Sequence, residues 1–220
     1  MSKHVLVVLT NHATLAGEPN GTYMPELTHA LHVLNEAGLS WALATPKGGA
    51  APGYGHDADA LTREMLADKT LSGALADTAA LSAVNPADYD AVFYPGGYGL
   101  LFDLADDADS QRVAAQIHEQ GGVVAAVCHG PAALAGVKLP SGEALIAGRQ
   151  VTGFTREEEA AMSTLDKIPF LLEQRMIDAG ATYQKRKAWQ TLVVQDGRVI
   201  TGQNPGSAKG VGEALAAALG

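Results

Sequence analysis

The run Val123-Val124-Ala125-Ala126-Val127 passes without a polar break into Cys128-His129-Gly130-Pro131. It reads as a strand that is apolar on every residue. Such a strand is covered on both faces, as in a parallel sheet with helices above and below. Residues 5–9 have the same character, and Ala91–Tyr94 forms a short strand that stops at Pro95-Gly96-Gly97.

Helical stretches separate these strands. Residues 25–37 place Leu27, Ala30, Leu31 and Leu34 at helical spacing, and Gly38 ends the pattern. A second strand at 41–44 stops at Pro46. Helices are expected at 60–75 and 110–119, and a short strand pair at 144–146 and 150–152. Further helices are expected at 157–164 and 170–179. Strands at 191–194 and 199–201 flank the turn Asp196-Gly197, and Ala208–Leu219 closes as a helix. This alternation predicts one α/β domain over 1–220, with right-handed crossovers and a mostly parallel sheet. Sites in such sheets lie beyond the carboxyl ends of the strands. The loops after Leu9, Tyr94 and Val127 qualify.

Charge and cysteine usage narrow the partners. The net charge is −9, so phosphate backbones and anionic lipid are repelled, and neither nucleic acid nor a membrane is expected as a partner. A single cysteine makes no internal disulfide, and the first apolar run is too short for a signal core or a membrane span. A cytoplasmic location is the expectation.

Chemistry concentrates at Cys128. A strand leading into a cysteine, a glycine two residues on and a helix start is the pattern of a nucleophile elbow. A thiol facing a helix N-terminus is expected to titrate well below a free thiol's ~8.5. Adjacent N–H groups can hold an oxyanion. The alternative is a buried structural cysteine, a common state for this residue type. Gly96-Gly97 lets backbone N–H groups approach a ligand, or simply makes a tight turn. Glu26 begins the first helix, where it either hangs over the site or favours the helix N-terminus.

Four segments, Val92-Phe93-Tyr94-Pro95-Gly96-Gly97, Ala125-Ala126-Val127-Cys128-His129-Gly130-Pro131-Ala132, Val151-Thr152-Gly153-Phe154-Thr155 and Ile200-Thr201-Gly202-Gln203-Asn204-Pro205, occur in order along the chain, with Asp103-Leu104 after the glycine loop. Together they resemble the ThiJ/PfpI superfamily, also called class I glutamine amidotransferase-like, in its small heat-inducible chaperone and glyoxalase III branch. The resemblance implies a three-layer flavodoxin-like sandwich. It implies Cys128 as nucleophile, His129 beside it, and Glu26 as an acid on the first helix, five residues after Gly21. It also implies a carboxylate after the Thr-Gly-Phe segment that orients the histidine. Glu157, Glu158 and Glu159 all offer themselves, and Glu159 is favoured. Tyr98 stands where the family often has histidine.

The implied activity is a cysteine-dependent, glyoxalase III-like lyase of the D-lactate dehydratase type. It would convert methylglyoxal or glyoxal to a 2-hydroxy acid without glutathione, with Gly97 and His129 N–H groups as oxyanion hole. No cofactor is needed. No metal role falls to His4, His12, His29, His32, His56 or His118. The partners implied are a small reactive dicarbonyl substrate and a second copy of the chain, as a homodimer. Alternatives with the same cysteine are a deglycase or amidohydrolase and an isonitrile hydratase. A holdase chaperone or oxidation sensor is the reading from another class.

Overall fold

The computed structural model describes residues 3–220. Its central sheet has seven strands: β1 (His4–Val8), β2 (Ser40–Thr45), β3 (Ala79–Ala80), β4 (Ala91–Tyr94), β5 (Val123–Val127), β6 (Val193–Asp196) and β7 (Val199–Gly202). Their spatial order is β6-β7-β5-β4-β1-β2-β3. All pairs are parallel except the β6–β7 hairpin. Every residue of β5 is fully buried, as a strand without polar positions requires.

The helices are α1 (Met24–Glu36), α2 (Ala60–Ala67), α3 (Lys69–Ala76), α4 (Leu100–Asp103), α5 (Ala108–Glu119), α6 (Ala132–Ala135), α7 (Arg156–Met162), α8 (Leu172–Asp178) and α9 (Ala208–Leu219). Flanking the sheet, they give a flavodoxin-like sandwich. Pro25 sits in the first turn of α1, where its missing N–H costs nothing, and Leu27, Ala30, Leu31 and Leu34 form the buried face. That face packs on α9, while α5 covers β4 and β5. No helix among the described residues is long and apolar enough to cross a membrane.

Three expectations are corrected. Residues 60–75 are two helices, because Asp68 turns extended and its carboxylate accepts the N–H groups of Thr70 and Leu71, capping α3. Residues 144–146 and 150–152 do not pair. Ala144 bridges only Lys138, and Gln150–Val151 lies parallel to Thr182–Tyr183. The expected strand at 191–194 is displaced to Val193–Asp196.

Candidate active site

At the end of β5 the chain bends sharply. Cys128 has φ +59°, a left-handed conformation that costs a non-glycine residue energy. Main-chain bonds hold it there: its N–H donates to Gly202 O at 3.0 Å, and its carbonyl accepts from Phe154 N–H at 2.9 Å. The side chain is 4% exposed and aims at the carboxyl end of the sheet, toward α1.

Glu26 approaches it from the first turn of α1. Gly96 makes that approach possible. A Cβ on Gly96 would lie 2.1 Å from Glu26 Oε2 and 2.6 Å from Cys128 Cβ, so any larger residue would fill the space. Glu26 is fully buried, and neither carboxyl oxygen has a hydrogen-bond partner of good geometry. A buried carboxyl without partners is costly, which points to a functional group rather than a structural one. Burial pushes its pKa up to about 8, although the Cys128 thiol and the Gly96 N–H lie close enough to favour the anion in part.

The thiol shifts in the same direction. Burial, followed by the charge of Glu26, pushes Cys128 well above the ordinary thiol range. This overturns the expected low-titrating thiol. The helix beyond the elbow, α6, has only four residues, and its dipole is small beside the desolvation of a buried sulfur. Burial thus pushes both members of the pair toward their neutral forms.

His129 follows directly. Its Nδ1 lies 3.4 Å from Cys128 Sγ, and its Nε2 lies 2.7 Å from Glu159 Oε1. The ring is held between Tyr98 and Phe154, with centroids at 4.4 and 4.5 Å. Burial works against the Glu159 anion, but hydrogen bonds from His129, Thr164 and Tyr98 outweigh it and hold its carboxyl below the usual value. Tyr98 thus packs on His129 and donates to the same glutamate.

The three consecutive glutamates have three different environments. Glu157 is exposed and pairs with Lys185. Buried Glu158 closes a capping box with Thr155 and accepts from Trp189 N–H, Gln203 Nε2 and Asn204 Nδ2. Only Glu159 reaches His129. Glu158→Ala would strand several buried donors at about 1–3 kcal/mol each. It is expected to lower unfolding free energy by at least about 3 kcal/mol in urea titration; an unchanged midpoint would show that the donors find other partners.

Gly97 has φ +119°, and a Cβ there would come within 2.3 Å of Gly21 O. Among the described residues its N–H and that of His129 have no protein acceptor. Glu26, Cys128 and His129 meet at a cavity of about 210 Å³ walled by Tyr23, Tyr54, Tyr98 and Phe154. Half-exposed Met162 and Trp189 line it as well. These walls come from segments far apart in the chain and carry no periodic sequence signal. A larger groove of about 1010 Å³ runs beside β2, lined by residues that include Trp41 and Met65.

The DJ-1/PfpI family pattern matches residues 18–218. Glyoxalase 3 of Candida albicans is 33% identical, with 98% of each chain covered. Glutathione-independent glyoxalase HSP31 of Saccharomyces cerevisiae is 29% identical, covering 94% of this chain and 93% of its own. The solved structure of Rapid Encystment Protein 24 KDa from Francisella tularensis superposes with a TM-score of 0.95 at 33% identity, with 99% of each chain covered. The family match spans nearly the whole length, over a parallel sheet whose fifth strand ends in a strained cysteine: the chain belongs to the DJ-1/PfpI family.

Proposed function

We propose that this chain is a glutathione-independent glyoxalase that uses Cys128 as nucleophile and Glu26 as base. The observation that carries the reading is the Glu26 carboxyl, fully buried and unpartnered beside Cys128. Its relatives named as glyoxalases support it.

The reaction runs through four steps. The Cys128 sulfur adds to the aldehyde carbon of a 2-oxoaldehyde while its proton passes by way of His129, 3.4 Å from the sulfur, to the former aldehyde oxygen, forming a hemithioacetal and leaving Glu26 free to act as base. Glu26 removes the hydrogen on that carbon as a proton, leaving an enediol. The proton returns to the neighbouring, former ketone carbon, and a thioester of the 2-hydroxy acid results. Water cleaves the thioester, so the sum is one 2-oxoaldehyde plus one water giving one 2-hydroxy acid, with no electron donor. The Gly97 and His129 N–H groups stabilise charge on oxygen. His129, held by Glu159, moves protons on and off the oxygens.

Purified protein with methylglyoxal and no glutathione is expected to form lactate. No lactate above the protein-free control would overturn the reading.

A further inference from the structure

Trp189 is held where an ordinary fold would not put a tryptophan. Its φ is +67°, in the left-handed region that bulky residues avoid. The strain is not offset by burial, since the side chain is 51% exposed. What fixes it is the buried carboxyl of Glu158. Its Oε1 accepts the Trp189 N–H at 2.9 Å, along with Asn204 Nδ2 at 2.8 Å and Gln203 Nε2 at 3.1 Å. Strained backbone that the surrounding structure over-determines clusters at ligand clamps. The same short helix that carries Glu159 to His129 therefore carries Glu158 to Trp189.

The indole faces the reacting groups through one ring. Trp189 meets Phe154 edge-on at 5.8 Å, and Phe154 packs on His129 at 4.5 Å. The cavity that all of them line measures about 210 Å³. An apolar cavity of about 150 Å³ holds benzene. A three-carbon oxoaldehyde leaves most of this space empty, whereas an arene carrying a two-carbon dicarbonyl fills it.

We propose that Trp189 and Phe154 form the platform for the substituent on the ketone carbon, so that the chain prefers aryl 2-oxoaldehydes to methylglyoxal. This rests on the glyoxalase reading. Trp189 is a specificity-determining residue, and Glu158 positions it.

Phenylglyoxal and methylglyoxal are the probes. Wild type is expected to show kcat/KM at least about tenfold higher for phenylglyoxal. In Trp189→Ala, the phenyl-to-methyl ratio is expected to fall about tenfold, and Trp189→Phe restores most of it. Comparing that ratio between variant and wild type cancels the intrinsic reactivities of the two substrates and any general loss of active protein. A second measurement does not need turnover. The chain has two tryptophans, so Trp41→Phe leaves Trp189 as the sole indole. Its fluorescence is expected to change saturably with mandelate at concentrations where lactate has no effect. A ratio indifferent to Trp189→Ala, or equal responses to mandelate and lactate, overturns the inference. Turnover of methylglyoxal without preference for phenylglyoxal overturns it too, and leaves the glyoxalase reading standing. Saturable mandelate binding with neither substrate converted supports the platform and overturns the glyoxalase reading.

Discussion

Cys128→Ala is expected to reduce lactate formation from methylglyoxal to background, a loss of at least about 10⁴-fold. The size of the effect follows from the chemistry. Without sulfur there is no hemithioacetal and no thioester, so the loss is of a route rather than of one stabilising contact. His129 and Glu26 cannot compensate, because neither forms the bond that activates the aldehyde carbon. The fold should survive. Cys128 is held by its own N–H on Gly202 and its carbonyl under Phe154, and both bonds are independent of the side chain. The Tm is therefore expected to move by only a few degrees, with an unchanged circular dichroism spectrum. Cys128→Ser separates size from chemistry. It keeps the volume and a hydroxyl, but its much weaker acidity should leave it nearly as inactive as alanine. A folded alanine variant that makes lactate at the wild-type rate would remove the thiol from the mechanism.

The central strand β5 and the elbow after it are legible in the sequence because local pattern determines them, whereas the two-residue edge strand β3 carries no such pattern. Residues 123–127 are apolar throughout and glycines bound them, so no tertiary information is needed to place β5. The pairing of residues 150–151 is not legible. Its partner is Thr182–Tyr183, some thirty residues away, and no turn joins them. Among the three glutamates a local signal exists. Thr155 and Glu158 have capping-box spacing, which ties Glu158 to its own helix start. Successive helical residues point about 100° apart, so a carboxyl at 159 faces elsewhere and can meet His129. The thiol's upward shift was not legible at all. It depends on complete burial and on Glu26, which the fold brings across from α1. The same holds for Tyr98 and Trp189. Each enters the site from a loop, and only the assembled structure shows what its ring touches.

Glu26→Gln is expected to lower turnover by roughly 10²–10⁴-fold, the usual contribution of a positioned general base. The substitution keeps size and polarity and removes only the ability to take a proton from carbon. Two pH measurements distinguish this from a merely structural loss. In wild type the Glu26 carboxyl ionises at about 8. Since the ionised form is the base, kcat/KM should rise about tenfold per pH unit below that value and level off above it. Glu26→Gln should lose this rise, and a rise that persists in the variant would assign the ionisation to another group. Stability gives the second measurement, and its sign is opposite to that of a salt-bridged carboxylate. Burial raises the folded pKa from an ordinary value of 4.5 to about 8, so the native state retains a proton that the unfolded chain releases. The cost to folding is absent below about 4.5, grows through the window up to about 8, and is full above it. At about 1.4 kcal/mol per pH unit, the upper bound is on the order of 4–5 kcal/mol. Glu26→Gln should therefore gain stability over wild type as pH rises from 5 to 9, measured by urea unfolding at each pH. A variant that is slower but no more stable at high pH than at low would mean that the carboxyl is not held neutral by burial. The proton balance of the Cys128–Glu26 pair would then have to be rebuilt with the thiol as the group that ionises first.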